Sequence, residues 1–210
     1  MTDVTLDPGA LEAGAAYHLL NSLVVPRPIA WVSSLSERGV ANLAPHSYFT
    51  VLAPDPPTVC FSSGGEKDTI RNVRFTGDFV VNVVGEELAE AMNLTSADFP
   101  PEESEFTAAG LTPIASDLVR APRLTEAPAS MECRLLQILE LGRAPNYVAI
   151  GEVIRLHVAE RAWRDGRVDM AALCPVGRLA GAGYSYTREL FRMERPTYAG
   201  LRAAGTLPGS

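Results

Sequence analysis

The chain has 210 residues, 47% hydrophobic and 20% charged, which suits one globular domain with a substantial core. A net charge of −7 argues against a nucleic-acid binder, whose affinity rests on clustered positive charge. No apolar run approaches the roughly 18 residues of a membrane span, and MTDVTLDPGALEAG lacks the charged-then-apolar pattern of a signal peptide. The expectation is a cytoplasmic protein, one domain over 1–210 with its core at about 17–196, and neither a nucleic-acid nor a membrane partner. Cys60, Cys133 and Cys174 are far apart and form no CxxC pair, so no disulfide frame and no metal site is expected.

In chain order, Leu11 to Leu23 carries apolar residues at helical spacing and predicts a short packing helix, ended by Pro26 and Pro28. Ile29 to Leu35 and Val40 to Val51 alternate about the turn Ser36-Glu37-Arg38-Gly39, a hairpin signature. Trp31, inside an alternating strand, reads as core. Thr58 to Ser62 predicts a third strand after the breaker Asp55-Pro56-Pro57. The small-residue loop Ser62-Ser63-Gly64-Gly65 follows, then a helix over Thr69 to Phe75 with Asp68 as its N-cap and Asn72 settling the first turn. A strand, a small-residue loop and a helix start together make an anion site, because free N–H groups and the helix dipole point outward.

Asp78 to Val84, bounded by Gly77 and Gly85, predicts a buried strand, and Glu86 to Leu94 a helix with acidic residues in its first turn. Thr95 to Thr112 reads as an irregular surface excursion. Ser130 to Leu141 and Tyr147 to Ala159 are strands joined by Gly142-Arg143-Ala144-Pro145-Asn146. Asp165-Gly166-Arg167 is a turn, Gly177 to Arg188 a flexible loop, and the tail after Arg195-Pro196 is unstructured. Short connections between many strands favour an antiparallel sheet closing into a barrel. The chain has neither GxGxxG between strand and helix nor a Walker loop, which excludes the common nucleotide folds.

The strings RPIAWVSS, ANLAPHSYF, DPP before a strand, KDTIRN and DFVVNVV, with the later IGEV and RLAGAGY, resemble in order and spacing the flavin reductase-like family. The resemblance implies a mainly β fold with peripheral helices, an FMN-binding split β-barrel of flavoredoxin type, and a homodimer. It places Asn42, Leu43, Ala44, Pro45, His46 and Ser47 along the isoalloxazine edge, with backbone groups bonding the pyrimidine side. It places Ser62, Lys67 and Thr69 at the phosphate, where hydroxyls, an ammonium and a helix start suit an anion. Lys67 is the only lysine in the chain, although an isolated lysine also suits plain solvated surface. Arg27, between two prolines, either offers a rigid fork to phosphate or makes a surface salt bridge.

If FMN is bound, the flavin carries the redox chemistry and no catalytic side chain is required. The resemblance implies hydride transfer from NADH or NADPH to flavin N5, as in a flavin reductase. The alternative is a flavoredoxin-like electron carrier served by a redox partner protein. Family members often carry Gly-Asp-His before the strand matching Tyr147 to Val153; this chain has Ala144-Pro145-Asn146, which puts direct nicotinamide use in doubt. Asn146, His157, Arg178 and Tyr184 are the substrate-side candidates. His157 is a substitute for the missing histidine or, as its place on the strand favours, a satisfied surface residue.

Overall fold

The computed structural model describes residues 2–12 and 14–206. Helix α1 (Ala15–Leu23) precedes strands β1 (Arg27–Pro28), β2 (Ala30–Leu35), β3 (Ala41–His46), β4 (Phe49–Pro54) and β5 (Pro57–Gly64). Helix α2 (Asp68–Thr76), strand β6 (Asp78–Val83) and helices α3 (Ala89–Leu94) and α4 (Glu105–Ala108) follow. Next come β7 (Pro113–Ile114), β8 (Arg123–Leu124) and the long strands β9 (Ala129–Leu141) and β10 (Asn146–Val158). The chain continues with β11 (Trp163–Arg164), β12 (Arg167–Val168), α5 (Met170–Leu173), β13 (Val176–Arg178), β14 (Tyr184–Tyr186) and α6 (Tyr198–Ala203). Among the described residues no helix is long and apolar enough to cross a membrane.

Seven strands form one antiparallel sheet in the order β3-β2-β6-β9-β10-β5-β4. Its edge strands β3 and β4 are separated in sequence only by Ser47 and Tyr48. A flat sheet would hold those edges about 29 Å apart at the usual strand spacing, whereas three Cα steps reach about 11 Å at most. The sheet therefore curls, bringing the His46 end of β3 close to the Phe49 end of β4. The β4–β5 ladder runs one step further into this corner, where the Ser62 N–H donates to the Tyr48 carbonyl at 2.9 Å, and no ladder joins β3 to β4 among the described residues. The architecture is mainly β with helices around it, as expected; the expected single strand Val40 to Val51 is two strands broken at the corner.

Both faces of β2 are buried, its serines Ser33 and Ser34 included. Ala30 and Val32 join a core with Phe61, Phe79, Val81 and the α2 residues Ile70 and Val73. Trp31 faces the other way, with Leu43, Met92 and Phe106; burying each such aromatic contributes about 2–3 kcal/mol. Phe79 packs edge-on against Phe61 at 5.2 Å. Gly151 on β10 permits this, since a Cβ there would lie 2.5 Å from the Phe79 ring. The β2–β3 turn closes as predicted, with Gly39 at φ +78° and the Gly39 N–H donating to the Ser36 carbonyl.

Four local expectations need correction. The helix α1 starts at Ala15 after a left-handed Gly14, not at Leu11, and Ala13 lies outside the described residues. Its leucines Leu19, Leu20 and Leu23 are exposed, and its buried residue is Asn21. The segment Gly177 to Arg188 is not one loop: β13 and β14 pair as a hairpin with Gly177 opposite Ser185. The tail forms α6, capped by Thr197 Oγ1 accepting from the Gly200 N–H, with 207–210 outside the described residues. The supposed surface excursion 95–112 contains α4, whose Glu105 and Phe106 are buried.

Candidate functional site

Where the sheet curls, β3, the end of β5, the start of α2 and the segment after α3 enclose a cleft of about 620 Å³. This lies in the usual size range of a small-molecule site. Asn42, Ala44, His46 and Ser47 line it from β3 and its corner, Ser62 from β5, and Lys67 and Thr69 from α2. Seven of the nine expected cofactor-side residues thus meet in one place. Asn146, opposite Gly64 in the β10–β5 ladder, borders the same cleft.

Beneath the cleft runs a buried hydrogen-bonded network. Asn72 Nδ2 donates to Ser34 Oγ, and Ser34 and Thr69 both donate to Asn42 Oδ1, at 3.0–3.1 Å. Asn42 Nδ2 in turn donates to Glu105 Oε1 at 2.6 Å, and the Leu43 N–H donates to Glu105 Oε2 at 2.9 Å. Two donors facing one side chain require two acceptors, so a carboxylate fits where a glutamine would bring a competing N–H. Burial pushes the Glu105 carboxyl up, the hydrogen bonds from Leu43 and Asn42 oppose this, and the charge of Asp68 adds to the rise.

His46 closes the network. Its Nδ1 lies 3.2 Å from the Ser62 carbonyl, its Nε2 3.4 Å from Thr69 Oγ1, and its ring packs on Phe61. Burial lowers its pKa to about 4, with the Lys67 charge pushing the same way against the Ser62 hydrogen bond. His46 is therefore a neutral donor to Ser62 at physiological pH, not a cation for the ligand.

The start of α2 differs from expectation. Lys67 occupies the N-cap position and no side chain caps the helix. Asp68 is the first helical residue, its carboxylate bonded to the Arg71 guanidinium one turn on. The first N–H groups of α2 are thus left without a side-chain cap beside the cleft. Lys67 Nζ pairs with Asp98 Oδ1 at 2.8 Å.

Four expected residues stand differently from the main group. Leu43 is fully buried in the core and its N–H is taken by Glu105, so it does not line the cleft. Arg27 makes neither the open fork nor the surface salt bridge considered for it. It is buried, donating to the carbonyls of Asn21, Val24 and Leu179 at 2.6–3.0 Å, and so ties α1 to the β13–β14 hairpin. Arg178 and Tyr184, bonded to each other, line with Arg27 and His18 an adjoining cavity of about 410 Å³. That cavity shares Tyr17, Pro45, Ser47 and Ser96 with the cleft.

His157 is elsewhere. Eleven residues beyond Asn146 on β10, it lies about 35 Å along the strand from the cleft end. There its Nε2 is 2.7 Å from Glu132 Oε1, within a group that includes Asp117. His157 stands apart from the cleft as a satisfied histidine, the reading its place on the strand favoured, bonded to the Glu132 carboxylate that holds the N–H groups of Asp117 and Leu118. The sequence reading missed Glu105 and Asp98, both in the stretch taken as irregular; Phe106, apolar next to an acidic residue, was the signal that this stretch packs inward.

Residues 22–171 match the family described as flavin reductase like domain. An uncharacterized protein of Halalkalibacterium halodurans is 41% identical over 201 residues, covering 91% of this chain and 96% of the relative. Nitrilotriacetate monooxygenase component B from Bacillus cereus superposes with TM-score 0.88 at 38% identity, over 92% of this chain and 100% of that one. The 2-nitrobenzoate 2-nitroreductase of Pseudomonas fluorescens gives 0.86 at 34%, over 93% and 98%. With the match spanning most of the chain and these relatives nearly all of it, the chain belongs to the flavin reductase-like family.

Proposed function

We propose that the cleft holds FMN and that the chain is an NAD(P)H-dependent, flavin reductase-like oxidoreductase with the curled sheet as a split barrel. The observation that carries this is the uncapped start of α2 with Lys67 beside it, both bordering a cleft of about 620 Å³. Free N–H groups, a helix dipole and an ammonium suit the FMN phosphate. The irregular end of β3 around Pro45 would present main-chain donors and acceptors to the ring, with the Ser62 hydroxyl on the phosphate side. When bound, the flavin supplies the redox chemistry, accepting hydride at N5 from NADH or NADPH.

The protein's own residues hold and orient. Glu105 fixes the Asn42 amide, Asn42 fixes the Thr69 hydroxyl, and neutral His46 braces Ser62 from below. The adjoining cavity with His18, Arg178 and Tyr184 supports a second, nicotinamide-side compartment next to the flavin. A homodimer is supported by the exposed apolar residues Leu20, Leu23 and Val24 after and on α1 and Val51 and Leu52 on edge strand β4. The carrier reading, with a redox partner protein, draws on Ala144-Pro145-Asn146 at the cleft mouth, where no histidine stands.

The test is anaerobic absorbance of the purified protein with FMN, then with NADH and NADPH in turn. Bound flavin bleached by either nucleotide is the expected result. Flavin bleached by dithionite alone would select the electron carrier. No FMN binding by a folded protein would overturn both.

A further inference from the structure

We propose that Asp98 is a specificity-determining residue of the cleft: its carboxylate occupies the Lys67 ammonium in place of a ligand phosphate. A phosphorylated flavin must displace it, whereas an unphosphorylated flavin need not. The inference rests on reading the cleft as a flavin site.

Lys67 is the sole lysine, and Asp98 is its only charged or hydrogen-bonding side-chain partner among the described residues. The other cations on α2 are already matched, Arg71 with Asp68 and Arg74 with Glu66. Asp98 in turn accepts no backbone N–H and caps no helix among the described residues, so its contact with Lys67 is not a by-product of folding its loop. That loop is anchored on both sides. Ser96 and Ala97 donate from their N–H groups to Asn93 and Leu94 carbonyls, and Ser104 Oγ donates to the Ala41 carbonyl.

Of the carboxylates lining the cleft, Asp68 and Glu66 are paired with Arg71 and Arg74 and Glu105 is held by Asn42 and Leu43, so Asp98 is the one that competes for Lys67. The hydrogen bond and charge of Lys67 hold the Asp98 carboxyl below the usual carboxylate range, so it competes as an anion at neutral pH. Both side chains are well exposed, 60% for Lys67 and 88% for Asp98. Exposed pairs are weak and screened by salt, so a dianionic phosphate on the same ammonium can displace the carboxylate.

The experiment measures FMN and riboflavin binding by flavin fluorescence quenching at low ionic strength, for the wild type, Asp98→Asn, Asp98→Glu, Lys67→Gln and the Lys67→Gln/Asp98→Asn double variant. Asp98→Asn should bind FMN about threefold more tightly, the scale of an exposed charge pair, with riboflavin unchanged. Asp98→Glu, which keeps the charge, should bind FMN like the wild type. The gain should vanish in the double variant, where no ammonium is left to release. An Asp98→Asn variant that binds FMN no better, or tightens equally toward both flavins, overturns the inference and leaves the flavin site standing. A folded wild type that binds neither flavin overturns both.

Discussion

Glu105 and Glu132 are both buried, each takes an N–H from the main chain, and each belongs to a polar cluster containing a histidine. At the β3 end, burial outweighs two donors and Asp68 adds a like charge, so the Glu105 carboxyl is pushed up. At the far end of β10, burial works against Glu132 too, but the N–H groups of Asp117 and Leu118 and the His157 ring together pull it down. Arg123 Nε stands a further 3.9 Å from Glu132. The histidines differ likewise: His46 is buried in the cleft wall, whereas the His157 side chain is 21% exposed. A buried Glu and a His thus mark neither a site nor a scaffold. Both carboxylates are consumed by their own chain, and what separates them is that the Glu105 network borders the open volume of the cleft.

Substituting each glutamate sharpens that contrast. Glu132→Ala strands two main-chain N–H groups and a histidine and opens a buried space, and should cost about 3 kcal/mol in urea unfolding with FMN affinity unchanged. Glu105→Ala should cost less, about 2 kcal/mol, yet weaken FMN binding about fivefold because the Asn42 amide loses its anchor. The reverse assignment, with FMN affinity lost at Glu132 and kept at Glu105, would break the comparison.

The histidine under the cleft gives a smaller, pH-dependent effect. Its folded pKa of about 4 lies below the ordinary 6.5, so the unfolded chain binds the proton first as the solution is acidified. The stability of the neutral ring is fully present above pH 6.5 and is lost as pH falls toward about 4. That loss amounts to about 3 kcal/mol at most. Unfolding at pH 7 and pH 4 should therefore show the advantage of wild type over His46→Gln shrinking by up to that amount. A constant difference between the two proteins would contradict the neutral, buried ring.

The strands and most of the site were legible because both rest on local patterns. Alternation marked β2, small residues marked the end of β5, and the ordered strings marked the cleft edge at Asn42 to Ser47. What escaped depends on long-range packing. The corner at Ser47-Tyr48 interrupts what reads as one alternating run, and shows only because β3 and β4 take opposite edges of the sheet. Arg27 looked like a ligand because nothing local shows that the Leu179 carbonyl, 152 residues away, accepts its guanidinium. Glu105 and Asp98 were hidden for the same reason: their partners Asn42 and Lys67 are 63 and 31 residues distant.

The central claim is that flavin sits in the cleft between β3, β5 and α2. Ala44 lines that cleft from β3, so Ala44→Trp should fill it. FMN titration of wild type and Ala44→Trp, with circular dichroism as the check on folding, is the most direct test. The account predicts that the wild type binds FMN and the folded variant does not. Equal binding by both would place the flavin elsewhere and contradict it.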